Sequence, residues 1–138
     1  NRRLAMRWGD GDTVRDPEGA DYAAKQTDAT VQSMLGSGSS LYSYYKRLLM
    51  IRAACPEISD GELTALRLQD TKLGGFVAEK DGKRALVIHN TTQRVLTLSM
   101  QEAGVEDFET VEYVIGMGNA SLEGDTLTVD AKTSVILR

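Results

Sequence analysis

The spacing of hydrophobic residues changes along the chain at Ser40. From there, apolar and aromatic side chains recur three and four residues apart, which is the pattern of one helix face. Ser40 is a suitable residue to cap the first turn, and Pro56 cannot continue a helix. The pattern therefore predicts one amphipathic helix over about residues 40–54. Its apolar stripe consists of Leu41, Tyr44, Tyr45, Leu48 and Leu49.

After Pro56, apolar residues alternate with polar ones, which is typical of strands with one buried face. Turn residues such as Asp81-Gly82 and Glu123-Gly124-Asp125 separate the alternating segments. So many short strands in so few residues indicate a mainly β fold, an antiparallel sandwich. The predicted strands are 63–68, 76–79, 85–89, 95–98, 111–115, 127–129 and 134–137.

The first 39 residues lack sustained apolar periodicity and are rich in Gly, Asp, Ser and Thr, which predicts a loop segment. Val31, Met34 and Leu35 have helical spacing, so a short helical turn is expected within 28–35. We expect residues 1–39 to be poorly ordered unless they pack against another surface.

Composition and charge narrow the function classes. The 138 residues carry 16 Lys and Arg against 20 Asp and Glu, a net charge of −4, which argues against nucleic acid as a partner. The longest apolar runs are far shorter than the ~20 residues of a membrane span, so none is predicted. The net charge is −6 from Glu57 onward, where eight basic residues face fourteen acidic ones.

The chain is too short for a (β/α)8 barrel, which typically needs ~250 residues. It opens with Asn1 rather than Met and shows no secretory signal. We therefore expect its start to be a processing site or a boundary within a larger protein. The compartment is not determined by the sequence, with secretion or the bacterial cell surface favoured.

Cys55 and His89 are the only residues of their types, so neither a disulfide, nor a Cys/His zinc site, nor a Cys–His dyad has enough members. Cys55, beside Pro56, is expected to be a packed small residue. His89, at the end of an apolar strand, is expected to be a hydrogen-bonded structural residue or a surface group, because no Ser or Cys nearby in sequence forms an obvious nucleophilic partner. No cofactor is predicted.

Two acidic groups suggest chemistry only weakly. Asp10, Asp12 and Asp16 offer oxygen ligands for a hard cation but lack the closing Glu of an EF-hand loop, so a solvated loop is preferred. Glu106, Asp107 and Glu109 resemble a glycosidase carboxylate pair in type only, and a solvated face is preferred for them as well. The Asn-x-Ser/Thr triplets at 90–92 and 119–121 receive no functional weight.

A carbohydrate-binding surface usually presents several exposed aromatic rings. The strand region has Phe76, Phe108 and Tyr113, spread one per segment, so a dedicated sugar-binding surface is not favoured. The remaining aromatic candidates lie upstream, and at least two of them belong to the helix stripe; they are Trp8, Tyr42, Tyr44 and Tyr45.

The order of these parts resembles the C-terminal end of an α-amylase-type enzyme of glycoside hydrolase family 13. Residues 3–8 (Arg-Leu-Ala-Met-Arg-Trp) resemble the Arg-Gly-Pro-Met-x-Trp segment after the eighth barrel strand, with Leu-Ala in place of Gly-Pro. Residues 40–52 are similar to the Ser-Leu-x-x-Tyr-Tyr-Lys-x-Leu-x-x-x-Arg helix, the last of the barrel. Residues 55–61 are similar to its His-Pro-x-Leu-x-x-Gly exit, with Cys in place of His, and 85–90 and 127–137 resemble parts of domain C.

The resemblance implies two domains: residues 1–56, a remnant of the catalytic barrel end, and residues 57–138, a Greek-key sandwich of the domain C type. The parent is implied to be a retaining α-glycosidase acting on α-glucans such as starch or maltooligosaccharides, closer to bacterial α-amylases than to α-glucosidases. The family's catalytic Asp, Glu and Asp belong to upstream barrel strands. The chain is therefore predicted to hold no catalytic, substrate-binding or metal residue and to be structural.

The loop of Arg3, Met6 and Trp8 is the one segment that the resemblance places near a cleft, since loops after barrel strands form the active-site face. Packing beneath the barrel rim is the alternative for Met6 and Trp8. The helix stripe is expected to be uncovered without the barrel, and then to fold back onto the sandwich or to pair with another copy. An independent carbohydrate-binding module and an oligomerisation module are the alternative functions.

Overall fold

The computed structural model describes residues 6–9, 11–12, 29–68 and 71–138. The chain separates into two compact units, residues 1–49 and residues 50–138, of which the second is called the β-domain below. The helices are α1 (Val31–Leu35), α2 (Leu41–Ala54) and α3 (Pro56–Asp60). The strands are β1 (Glu62–Ala65), β2 (Leu73–Lys80), β3 (Lys83–Asn90), β4 (Leu96–Ser99), β5 (Val111–Gly116), β6 (Ala120–Glu123), β7 (Thr126–Val129) and β8 (Thr133–Leu137).

In the first unit, polar side chains fix where the helices begin. Thr30 and Ser33 form a capping box at the start of α1, each side chain accepting from the other residue's amide. Ser40 Oγ accepts from the Ser43 amide at 3.2 Å, so the predicted cap of α2 is confirmed. The predicted helix over 40–54 is confirmed as well.

The apolar stripe of α2 is left uncovered. Tyr44, Tyr45 and Leu49 are exposed and Leu48 is half-buried. The buried residue of this helix is Ile51, which the stripe did not include. None of the described helices is long and apolar enough to cross a membrane.

The β-domain is a two-layer antiparallel sandwich, so the predicted fold class is confirmed. One sheet has the strand order β1-β2-β3-β8-β5 and the other the order β4-β7-β6. The chain passes to the second sheet with β4, returns to the first with β5, forms β6 and β7 in the second and ends with β8 in the first. The pairs β3–β8 and β4–β7 therefore join strands distant in sequence.

Alternation along β3 explains why all four residues of 85–88 are apolar. Leu86 and Ile88 point to the inner face and pack against residues of both sheets, among them Leu127 of β7. Ala85 and Val87 point to the outer face, where Ile51 of α2 covers them together with Cys55 and Ile136. The five-stranded sheet is therefore buried on both faces at its centre, which removes the polar alternation of a one-sided sheet.

Three elements differ from the sequence expectation. Pro56 was expected only to end a helix, but it also starts α3, where a first-turn proline loses no hydrogen bond. Strand β6 was not predicted, because Ala120 and Leu122 are its only apolar residues. Strand β1 is also shorter than the predicted 63–68, and all four of its residues are exposed.

Candidate functional site

The Trp8 segment, residues 6–9 and 11–12, is held against the start of α1 by backbone hydrogen bonds. The Val31 amide donates to the Arg7 carbonyl and the Gln32 amide to the Trp8 carbonyl, both at 2.9 Å. These two donors belong to the first turn of a helix and have no partner within it. The indole itself is 62% exposed, so the backbone is anchored while the ring faces solvent.

The carboxylate of Asp12 closes a turn in this segment. Its Oδ2 accepts from the Trp8 amide at 2.5 Å and from the Gly9 amide at 2.7 Å. Gly9 also suits the close approach to α1, since an added Cβ would lie 2.9 Å from Gln32 Oε1. Because Asp12 is engaged with backbone donors, it acts in the loop geometry rather than as an open ligand.

Three of the sequence candidates near this segment lie outside the described residues: Arg3, Asp10 and Asp16. In the described part of the chain, no three His, Cys, Asp or Glu side chains lie close enough together to hold a metal ion. What the described segment offers is an exposed, locally fixed indole with the exposed thioether of Met6 beside it in sequence. A ring of this kind can stack on an apolar face of a ligand.

In the β-domain, strand pairing gives His89 a serine partner that is distant in sequence. The sequence showed no serine nearby, but strand pairing places Ser134 opposite it, with 2.7 Å between His89 Nδ1 and Ser134 Oγ. The Phe76 ring lies beside the imidazole, with centroids 6.2 Å apart. Burial lowers the pKa of His89, so the neutral ring is favoured. The hydrogen bond to Ser134 agrees with the structural role that was one of the two expectations for His89.

A buried ionic cluster ties α3 to the end of β8. Glu57 is fully buried, and its Oε1 lies 2.6 Å from Arg138 Nη2 without hydrogen-bond alignment. Arg138 also pairs with Glu112 and donates to Cys55 Sγ at 3.3 Å. Burial raises the pKa of the Cys55 thiol against the opposing effect of Arg138. Cys55 is fully buried, so the expectation of a packed small residue is confirmed.

Asn90 has a structural role that its Asn-x-Thr triplet does not indicate. Its side chain is buried, and Nδ2 donates to the carbonyls of Arg94, Val129 and Asp130 at 2.7–3.0 Å. Its Oδ1 accepts from the amide and hydroxyl of Thr92. These hydrogen bonds fix the β3–β4 loop against β7. They also occupy the side-chain nitrogen to which a glycan would be attached.

The acidic candidates at 106–109 lie on the surface. Glu106, Asp107 and Glu109 are exposed, and Asp107 pairs with Arg84. Glu106 and Glu109 border a hollow of about 510 Å³ with Asp125, whose carboxylate accepts from Ser99 Oγ and the Gln101 amide.

The aromatic residues of the β-domain do not form a shared platform. Phe108 is buried beneath the guanidinium of Arg84, 4.8 Å from its ring centroid. Phe76 and Tyr113 are half-buried and pack against the outer-face cluster of the five-stranded sheet. Exposed rings of the kind that a sugar-binding sandwich presents are therefore not found among these three.

Comparison with known proteins supports the family resemblance. No protein-family profile matches the chain. Alpha-amylase 3 of Dictyoglomus thermophilum is 24% identical over 100 residues, which are 72% of this chain and 19% of that protein. Eubacterium rectale Amy13B superposes with a TM-score of 0.79 at 26% identity, over 98% of this chain and 27% of its own.

The α-amylase from H. orenii shares the fold, with a TM-score of 0.68 at 17% identity over 96% of this chain and 27% of its own. The chain thus spans 19% of the first of these relatives and 27% of each of the other two. Together the matches confirm the resemblance to the C-terminal part of an α-amylase-type glycoside hydrolase of family 13.

Proposed function

We propose that this chain is the non-catalytic C-terminal portion of a retaining α-glycosidase that acts on α-glucans, with the β-domain as a structural support. The observation that carries the proposal is the match to Amy13B, which covers both units of the chain and not the sandwich alone. A free-standing sugar-binding module would require a match limited to the sandwich.

The described side chains support a structural role for the β-domain. Several of its charged residues are paired with one another, as in the Glu57–Arg138–Glu112 cluster. Its aromatic rings are buried or half-buried. Retaining glycosidases need two carboxyl groups about 5–5.5 Å apart on either side of the bond to be cleaved. The proposal assigns those groups to the rest of the parent enzyme.

Trp8 makes the distinction measurable, because it is the only tryptophan. The full chain is titrated with maltoheptaose while Trp8 fluorescence is followed, and hydrolysis is assayed in the same samples. We expect no saturable change and no released reducing sugar. Saturable quenching that is absent in Trp8→Phe would favour the carbohydrate-binding module instead, and hydrolysis would contradict the proposal outright.

We also infer that the isolated chain associates with a second copy through α2. Tyr45 and Leu49 are exposed one turn apart on the same side of the helix. The stripe was expected either to fold back onto the sandwich or to pair with another copy. Because these side chains are exposed, we infer the pairing. Burying one such side chain contributes roughly 1.5–3 kcal/mol. A symmetric pair would bury Tyr45 and Leu49 of both copies, and the sum offsets much of the cost of weak association.

Sedimentation velocity over a protein concentration of about 5 to 500 μM measures this association. Tyr45→Ser with Leu49→Ser should raise the dimer dissociation constant at least ~10-fold, since ~1.4 kcal/mol already corresponds to that factor. Lys46→Ser, an exposed change on the same helix, is the matched control and should leave association unchanged. A monomer throughout this range would contradict the inference.

A further inference from the structure

The exposed edge of the smaller sheet carries an open backbone position. Strand β4 is at the end of the order β4-β7-β6, with β7 as its neighbour. Met100 donates to the Asp125 carbonyl at 2.8 Å, and the register continues as Ser99 opposite Thr126. Bonding alternates along an antiparallel pair, so Leu98 bonds toward β7 while Thr97 and Ser99 point their backbone groups outward.

Of these two outward residues, Ser99 has a partner in the following turn, since its carbonyl accepts from the Ala103 amide at 3.1 Å. The N–H and C=O of Thr97 face the edge without a partner among the described residues, and Thr97 is exposed. An open N–H and C=O on an edge strand is a template for another strand.

A groove runs along this edge, and we call it the β4 groove. It consists of two adjoining hollows of about 580 and 540 Å³ that share Thr71 and Thr97. Its described walls are residues 67–68 and 71–72, before β2, and residues 92–95, before β4. An extended chain beside β4 would occupy this space at the ordinary inter-strand spacing of ~4.8 Å.

The described residues that line the β4 groove differ in charge from their domain. Three of them are basic, Arg67, Lys72 and Arg94, and one is acidic, Glu102 at the Ser99 end. None of these three cations makes an ion pair within the described part of the chain. In a region with a net charge of −6, this is a local reversal of sign.

We propose that the β4 groove binds an extended acidic segment of another polypeptide, which adds as a strand beside Thr97 with its carboxylates at the Arg94 and Lys72 end. The open backbone position provides main-chain pairing and the cations provide the preference for acidic side chains. A sugar ligand is disfavoured because none of the described residues that line the two hollows is aromatic.

The probe is the peptide acetyl-Glu-Thr-Glu-Val-Thr-Val-amide, titrated by calorimetry against the full chain at low salt. Lys72→Gln with Arg94→Gln should weaken binding about 10-fold, whereas Lys83→Gln, a change of an exposed lysine at the start of β3, should not. Raising the salt to 0.5 M should weaken binding as well, because exposed charges are screened. A peptide with Lys in place of Glu should not bind.

The backbone contribution is tested at Thr97 itself. Thr97→Pro removes the outward N–H, which an edge strand tolerates, and should abolish binding, whereas Thr97→Val keeps the donor and should bind as the wild type does. Should Thr97→Pro fail to fold, the probe N-methylated at alternate amides provides the same test on the intact protein. Failure of the acidic peptide to bind, or equal binding by the N-methylated peptide, overturns the proposal. Binding of polygalacturonate that is unaffected by Thr97→Pro also overturns it, in favour of an acidic polysaccharide.

Discussion

The two units of this chain are stabilised in different ways. In residues 50–138, apolar residues are buried on both faces of the five-stranded sheet, in two clusters built around β3 and β8. Among the described residues up to Leu49, Thr30 is the only buried one. That part is defined by caps and turns, which fix a local backbone without excluding much apolar surface from water. Regular structure and stability are therefore separate properties here, and only the β-domain has both.

The largest expected effect compares the same substitution in the two units. Leu86→Ala removes a fully buried side chain from β3 and should cost about 2–5 kcal/mol of unfolding free energy. Leu49→Ala changes a residue that is 63% exposed and should stay within about 0.5 kcal/mol. Urea unfolding followed by circular dichroism, at a concentration below any self-association, measures both. Equal costs would erase the distinction between the units.

The second prediction concerns the anchor between α3 and β8. Arg138→Met leaves the carboxylate of Glu57 buried without its cation and should destabilise the chain by about 2–4 kcal/mol, because an uncompensated buried charge is costly. Adding Glu57→Gln should recover most of the loss. Lys80→Met, which breaks the exposed pair with Asp60, is the control and should cost ~0–1 kcal/mol. Similar costs for the buried and exposed pairs would contradict this role of the cluster.

The third prediction is a pH dependence confined to the β-domain. Burial lowers the pKa of His89 below its ordinary value of 6.5. As the pH falls below 6.5, the unfolded chain takes up a proton that the folded chain resists, so folding stability decreases, by at most ~1.4 kcal/mol per pH unit, down to the folded pKa. His89→Gln should lose less stability than the wild type between pH 7 and pH 5. Parallel urea midpoints for both proteins would count against it.

Part of this fold follows directly from local sequence pattern. The strand around 85–89 and the helix at 40–54 are predictable because a long apolar run or a helical stripe needs no knowledge of distant residues. Strand β6 escapes such reasoning because its pairing with β7, not its own weak pattern, makes it a strand. The start of α3 escapes it because a proline both ends one helix and begins the next.

The polar contacts of the β-domain were beyond the sequence for a different reason. His89 and Ser134 are 45 residues apart, and only the β3–β8 register brings them together. Glu57 and Arg138 are brought together by the β-domain fold in the same way. Residues 90–92 carry the turn chemistry of a loop, but the bond from the Asn90 amide to the Val129 carbonyl, 39 residues away, depends on the fold.

The smallest expected effect lies in the Trp8 segment. Asp12→Ala removes the acceptor of the Trp8 and Gly9 amides, and because this turn is exposed the cost should be about 1 kcal/mol or less. The sharper readout is local: Trp8 fluorescence anisotropy should fall while the β-domain unfolds at an unchanged urea concentration. A shift of the global midpoint comparable with that of Leu86→Ala would mean that this segment contributes to the core.

Amide hydrogen exchange on the full chain, measured with and without maltoheptaose, tests the central claim most directly. We predict protection close to the global unfolding free energy in β3 and β8, weak protection across residues 29–49, and no change in either when the sugar is added. Strong protection in 29–49 equal to that of β3, or protection in the β-domain that increases with maltoheptaose, would contradict the account of a self-stabilised structural domain without a sugar site.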